Sequence, residues 1–180
     1  RLLTNMPLTY LCEETPVILT SKMYFALTWG LGIEDDLVKV SHEFLDQTTK
    51  YWRTWVKHCS IPVIYQEEVI RSALALKLHC YEDTGAILAA LTTSLPEEPG
   101  GPRNWDYRYC WLRDAHFSLS AFYNLGHFEE MEGFLKFLLN VGYAYEQSHD
   151  RLAPVYTLSQ DLPLPETEHA NWQGYDGSRP

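Results

Sequence analysis

Arg103-Asn104-Trp105-Asp106-Tyr107-Arg108-Tyr109-Cys110-Trp111-Leu112-Arg113-Asp114-Ala115 decides how the rest of the chain is read. Three arginines, two aspartates, two tyrosines and two tryptophans share these thirteen positions. Arg and Asp are seldom buried unless paired. The mixture suits a sugar pocket, where flat rings cover the apolar faces of a pyranose and charged groups hold its hydroxyls. Hydrogen bonds to charged groups are about twice as strong as those between neutral ones. By residue type alone, the same cluster also reads as Arg–Asp pairs fixing a loop, with the aromatics in a core. Upstream, Pro99-Gly100-Gly101-Pro102 forbids a helix, so the cluster enters from a loop. Downstream, helical spacing begins near Leu112. Asp114 then falls in a first helical turn, where the backbone N–H groups favour a carboxylate.

Outward from this stretch the hydrophobic pattern is helical. Residues 34–59 form the first predicted helix. Glu34, Asp35 and Asp36 favour its start, and Leu37, Val40, Phe44, Thr48, Tyr51, Trp52, Trp55, Val56 and Cys59 make its apolar stripe. After Pro62 a second helix is expected over 63–82, with Ile70, Ala73, Leu74, Lys77 and Leu78 on one face and a Glu67–Arg71 pair on another. Gly85 reads as its stop. The short link between these helices predicts an αα-hairpin. Ala86–Ala90 reads as a short strand or a buried connector. A third helix is expected from Leu112 to Tyr123, with Ala115, Leu119, Phe122 and Tyr123 inward and Gly126 as breaker. A fourth runs from Phe128 to Tyr143, its stripe Met131, Phe134, Leu135, Leu138, Leu139 and Gly142. Glu129, Glu130 and Glu132 read as its solvated start. The fold class is all-α.

The flanks differ. In residues 1–33, Pro16–Thr20 and Met23–Trp29 read as strands that end in a turn at Gly30 and Gly32. Residues 145–180 lose periodicity and read as a long ordered loop, with Trp172, Tyr175 and Arg179 as candidate site-facing groups.

The 180 residues carry 14 Lys plus Arg against 24 Asp plus Glu, a formal net charge of −10. Such a chain has no basic face for nucleic acid or for an anionic membrane surface. No apolar run approaches the roughly 20 residues of a membrane span. Cys12, Cys59, Cys80 and Cys110 are widely spaced and read as buried thiols of a protein in the reducing cytoplasm. His58-Cys59 and His79-Cys80 sit at helix ends that face different ways, so no metal is expected. No cofactor motif is present: Gly100-Gly101 lacks the Lys-Ser or Lys-Thr of a phosphate loop.

Arg71-Ser72-Ala73-Leu74, then Thr92-Thr93-Ser94-Leu95-Pro96-Glu97, then the cluster above resemble the pattern of glycoside hydrolase family 15, which includes glucoamylases, glucodextranases and some trehalases. The resemblance runs from about Leu27 onward. One departure is Leu91, where the family usually has Pro, a change that bears on loop stiffness. The resemblance implies an (α/α)6 barrel of six inner and six outer helices, with a substrate pocket built at one end by the connecting loops. On it, residues 34–180 are the first part of the catalytic domain, and residues 1–33 are the last strands of a β-sandwich that precedes it. The family's domains are longer than this chain, which opens on Arg1 rather than Met, so a longer protein is expected.

The resemblance further implies glucose release from the non-reducing end of α-glucosides with inversion. Two glutamates serve as acid and base, both expected beyond residue 180, so no catalytic residue is assigned within the chain. Binding residues do carry over. Arg113 and Asp114 match the pair that grips the terminal glucose, Trp111 the aromatic wall beside it, and Tyr107 the tyrosine near the reacting ring. The expected ligand is an oligosaccharide or disaccharide. Glucoamylase-like action on dextrins is the first expectation, trehalose hydrolysis the second. A non-catalytic sugar-sensing or regulatory module, and an all-α interaction protein without ligand, are the readings from other classes. Uncovered helix faces of a partial barrel predict self-association, or partial disorder of residues 1–33 and 145–180.

Overall fold

The computed structural model describes residues 1–93, 95–101, 103–148, 152–161 and 164–179. The chain divides into two compact units, Arg1–Lys57 and His58–Pro180. Helix dominates the described residues and the strands are two or three residues long, as the all-α reading expects.

In the first unit, strand β1 (Leu2–Thr4) pairs antiparallel with β2 (Phe25–Leu27), Leu2 opposite Leu27 and Thr4 opposite Phe25. A short helix, α1 (Leu8–Cys12), lies between them in sequence. Asn5 holds the ribbon's end: its Oδ1 accepts from the Tyr24 N–H at 2.8 Å, and its Nδ2 donates to the Lys22 carbonyl at 3.3 Å. The expected strand at Met23–Trp29 contains β2, but Pro16–Thr20 forms no strand. A strand needs a ladder partner, and β2 takes Leu2–Thr4, three residues too few to show a period.

Helix α2 (Leu37–Lys57) follows. Asp36 caps it, its carboxylate accepting from the Lys39 N–H at 2.8 Å. Glu34 and Asp35 therefore lie before the first turn rather than in it. Tyr24 ties the strand side to the helix through a 3.0 Å contact between its hydroxyl and His42 Nε2. Of the expected stripe, Trp55 is buried, Trp52 half-buried, and Phe44, Thr48 and Tyr51 are exposed. Within this unit, a two-stranded ribbon is too small to cover 21 residues of amphipathic helix.

In the second unit, α3 (Gln66–Leu78) is shorter than the expected 63–82. Tyr65 sits in the left-handed region at φ 58°, which delays the start, and the Glu67–Arg71 pair does not form among the described residues. After α3, β3 (Cys80–Tyr81) and β4 (Ala86–Ile87) make a hairpin. Gly85 is not a helix stop. It ends the hairpin turn at φ +80°, its N–H bonded to the Tyr81 carbonyl at 2.8 Å. Helix α4 (Leu112–Leu125) closes on Gly126 at φ 78°. The His127 N–H reaches back to the Phe122 carbonyl at 3.0 Å and the Gly126 N–H to Tyr123 at 3.1 Å, the paired bonds of a Schellman motif. Helix α5 (Phe128–Ser148) starts at once, and α4 packs on it.

The core of this unit lies between α3, α4, α5 and β4. Ala73, Ala86, Ile87, Ala115, Phe122, Phe134, Phe137, Val141 and Tyr156 are buried. Phe137 stacks on Phe134 and meets Tyr156 edge-on, with ring centroids 5.7 and 6.3 Å apart. The expected faces are corrected in two places. Tyr123 is exposed, and in α5 the buried row is Phe134, Phe137 and Val141, while Leu135 and Leu139 face solvent. Helix α5 is apolar on more than one face, so its period alone does not choose between them.

A second correction concerns charge. Glu130 is not solvated: its side chain is 4% exposed and pairs with Lys77 at 3.2 Å, itself 10% exposed. Lys77 also meets Glu82 at 2.8 Å. His127 lies beside Glu130, Nδ1 to Oε2 at 3.7 Å, and its Nε2 is 3.1 Å from Cys59 Sγ. The Ser60 N–H to Leu125 carbonyl bond, 2.7 Å, seats this segment on the α4–α5 turn. Burial holds His127 below its ordinary pKa, against the pull of Glu130. Burial also raises the thiols of Cys59, Cys110 and Cys80, the last to about 12. Cys12, expected to be buried with them, is exposed.

Candidate functional site

Residues 86–90 run alongside 107–111 and carry the aromatic cluster. Beyond β4, the Ala89 N–H bonds the Tyr109 carbonyl at 3.0 Å and the Ala90 N–H bonds the Tyr107 carbonyl at 3.1 Å. The Tyr107 N–H in turn bonds the Thr92 carbonyl at 3.0 Å. The connector at Ala86–Ala90 is therefore both strand and scaffold. On the far side, β5 (Cys110–Trp111) pairs antiparallel with β6 (Val155–Tyr156), a strand inside the expected loop 145–180. Cys110 is fully buried in this platform.

Trp111 is extended and directly precedes α4, which places Asp114 in the helix's first turn as expected. Arg113 folds onto its neighbour, Nε and a terminal nitrogen meeting the same Asp114 oxygen at 3.2 and 3.1 Å. Asp114 keeps 36% and Arg113 76% of side-chain exposure, so both remain open to a ligand. Tyr107 and Trp111 come together with ring centroids 5.9 Å apart, and Tyr109 meets Trp111 edge-on at 6.4 Å. The four residues expected to bind thus form two contacting pairs, an aromatic one ending at the helix start and a charged one in its first turn.

The loop carries further order that the residue types did not reveal. Arg108 grips Asp106 with two nitrogens, at 3.1 and 2.9 Å, and its own N–H bonds the same carboxylate at 2.9 Å. The Arg108 guanidinium holds the Asp106 carboxyl below the ordinary carboxylate range. Arg103 pairs with Glu97 at 3.0 Å. Asn104 is buried, its Nδ2 donating to the Arg179 carbonyl at 3.0 Å, and Ser178 Oγ accepts from the Gly100 N–H at 3.2 Å. The C-terminal turn is closed by the Gly174 N–H to Ser178 carbonyl bond at 2.7 Å. Arg179, one of three candidate site-facing groups, is thus docked by its main chain, whereas Trp172 and Tyr175 are 73% and 63% exposed. The only signal for this docking was the glycine-bracketed segment Gly174–Gly177, where Asp176 takes φ 52° and Gly177 φ +73°.

Rings beside a forked Arg–Asp pair at a helix start make a surface suited to polyhydroxylated ligands. The sequence profile of Glycosyl hydrolases family 15 matches residues 63–179, more than half of the chain, and the chain belongs to that family. Its relatives include a protein named trehalase from Mycobacterium tuberculosis, 38% identical over 159 residues that cover 88% of this chain and 23% of the relative. Another trehalase, from Thermoplasma acidophilum, is 40% identical over 136 residues covering 76% of this chain and 22% of the relative. The chain thus spans about a quarter of the length of the curated relatives it matches. No solved structure matches it. Among the described residues, no helix is long and apolar enough to cross a membrane.

Proposed function

We propose that this chain contributes the non-reducing-end glucose subsite of a glycosidase whose substrate is trehalose. The family assignment supports glycoside hydrolysis, and the names of the relatives favour trehalose over the dextrins expected first. One observation carries the site itself: the forked Arg113–Asp114 pair in the first turn of α4, next to the Tyr107–Trp111 pair. Asp114 accepts hydrogen bonds from the hydroxyls of a bound glucose, Arg113 donates to them, and Trp111 covers a ring face. Tyr107 faces the ring that becomes cationic as the glycosidic bond breaks.

Hydrolysis with inversion needs a protonated carboxyl at the leaving oxygen and a carboxylate that activates water, about 6.5–9.5 Å apart. We assign neither role within residues 1–180. Asp106 sits against Arg108, which favours its charged form and suits binding rather than proton donation. The acid and base are two glutamates outside these residues, and the helices are part of an (α/α)6 barrel. A reducing, cytoplasmic setting fits the absence of disulfides among the described residues.

Calorimetric titration of the full chain tests the reading. Trehalose binds, maltose binds more weakly, and Asp114→Ala weakens trehalose binding about ten- to a hundredfold, the worth of charged hydrogen bonds. Equal trehalose affinity in Asp114→Ala would remove the site, and preference for maltose would restore the dextrin reading.

A further inference from the structure

We infer that Asp106 is a positioning residue for Tyr107: clamped by Arg108, its carboxylate closes a turn over Tyr107 and sets where that ring stands. The inference rests on the proposed sugar site, in which Tyr107 faces the reacting ring, and it gives Asp106 no contact with the sugar. Asp106 Oδ1 accepts from the Arg108 main-chain N–H at 2.9 Å. An aspartate that bonds the backbone two residues on makes an Asx turn, and the residue enclosed by this one is Tyr107. Arg108 grips the same carboxylate with its fork, Nε to Oδ1 at 3.1 Å and a terminal nitrogen to Oδ2 at 2.9 Å. A two-pronged bond of this kind fixes the plane of the carboxylate, so the turn does not depend on a freely rotating side chain.

Two further bonds hold the main chain of Tyr107. Its N–H donates to the Thr92 carbonyl at 3.0 Å, and its carbonyl accepts from the Ala90 N–H at 3.1 Å. With the turn closed over it as well, the backbone at Tyr107 is fixed, and the place of the ring follows from its side-chain torsions alone. Trp111 limits those, with ring centroids 5.9 Å apart and planes tilted by 43°.

The bonding pattern separates Asp106 from Asp114. A carboxylate accepts at about four lone-pair sites. Three donors of Arg108 occupy Asp106, across both of its oxygens. Arg113 engages a single oxygen of Asp114. Asp114 thus keeps acceptors for sugar hydroxyls, while Asp106 uses its own within the loop. The Arg108 guanidinium holds the Asp106 carboxyl below the ordinary carboxylate range, so the clamp is charged at neutral pH. The side chains of Arg108 and Asp106 are 57% and 31% exposed, so losing the pair costs the fold little beside its effect on the ring.

The test is a double-mutant cycle read by calorimetric titration of trehalose into the full chain. Wild type, Asp106→Ala, Tyr107→Ala and the double variant form the cycle, with Asp106→Asn and Asp114→Ala beside them and a thermal melt of each. Asp106→Ala and Tyr107→Ala are each expected to weaken binding about tenfold, and the double variant no further than Tyr107→Ala alone. Asp106→Asn keeps an oxygen that can close the turn and should recover part of the loss, with a melting temperature close to that of the wild type. A loss from Asp106→Ala that persists in full beside Tyr107→Ala would overturn the inference, because Asp106 would then act independently of the ring, by touching the sugar or by holding the fold. Asp106→Asn as weak as Asp106→Ala would overturn it too, by making the charge rather than the turn decisive. Wild-type affinity in Asp106→Ala, with binding lost in Asp114→Ala, would overturn it and leave the site standing. A wild type that takes up no trehalose would overturn the site reading and this inference together.

Discussion

Removing Glu130 should destabilise the second unit far more than removing any carboxylate of the sugar site. The carboxylate is 4% exposed and lies 3.2 Å from Lys77, which is 10% exposed. Breaking a buried pair by deleting one partner costs about 3–5 kcal/mol, because the other charge stays out of water. Glu130→Ala falls at the lower end, since Lys77 keeps Glu82 at 2.8 Å, although Glu82 is 64% exposed and screened by solvent. With a urea slope of about 2 kcal/mol per molar for a unit of this size, a loss of about 3 kcal/mol lowers the midpoint by roughly 1.5 M. Far-UV circular dichroism against urea reads this. Asp35→Ala, which breaks the fully exposed pair with Lys39, is the control and leaves the midpoint in place. The double variant Lys77→Met/Glu130→Leu should recover most of the loss, because apolar groups of similar volume can replace a buried pair. A midpoint for Glu130→Ala within about 0.3 M of wild type would refute the reasoning, since burial would then not have set the cost.

Two other perturbations follow from the same unit. Gly85→Ala places a methyl group at φ +80°, against the backbone of Gly133 in α5, and should cost about 3 kcal/mol or more, whereas Gly142→Ala, with open space around its Cβ, should stabilise the helix by up to about 1 kcal/mol. Thermal melts separate the two, and equal effects would mean that the turn does not press on α5. His127 titrates below its ordinary value of 6.5 because burial disfavours its charge. The unfolded chain then binds the extra proton, so its contribution to stability is present above about pH 6.5 and lost as pH falls below it. His127→Gln should flatten the melting temperature between about pH 5 and 7, and an unchanged slope would place the titrating group elsewhere.

The helices α2 to α5 were legible because each carries a helical period and a local stop. Asp36 caps α2 and Gly126 ends α4, both through bonds to residues within five positions. Which face of a helix is buried was less legible. In α5 the rows through Leu135 and through Phe137 are both apolar, and only the partner surface of α4 and β4 selects Phe137. Pro16–Thr20 had strand-like residues and no partner, while Leu2–Thr4 had a partner and no pattern. The misread solvation of Glu130 has the same origin, because a glutamate in a first turn is favourable whether or not a lysine from α3 reaches it.

The candidate site shows the same division, and it bears on chemistry. Arg113 bonds the next residue and Arg108 the carboxylate two positions back, so a reader of the sequence meets both partners together. These charges are matched by near neighbours in the chain, without a distant counter-ion. Asn104 to Arg179 and Gly100 to Ser178 span 75 and 78 residues. No spacing rule connects them, and the residues involved are small or common. Yet these bonds bring an arginine without a carboxylate partner among the described residues to a loop whose other arginines are paired. The local pairs set the charges of the loop itself. The long-range bonds fix where the loop stands, and no local pattern in the sequence could have placed it.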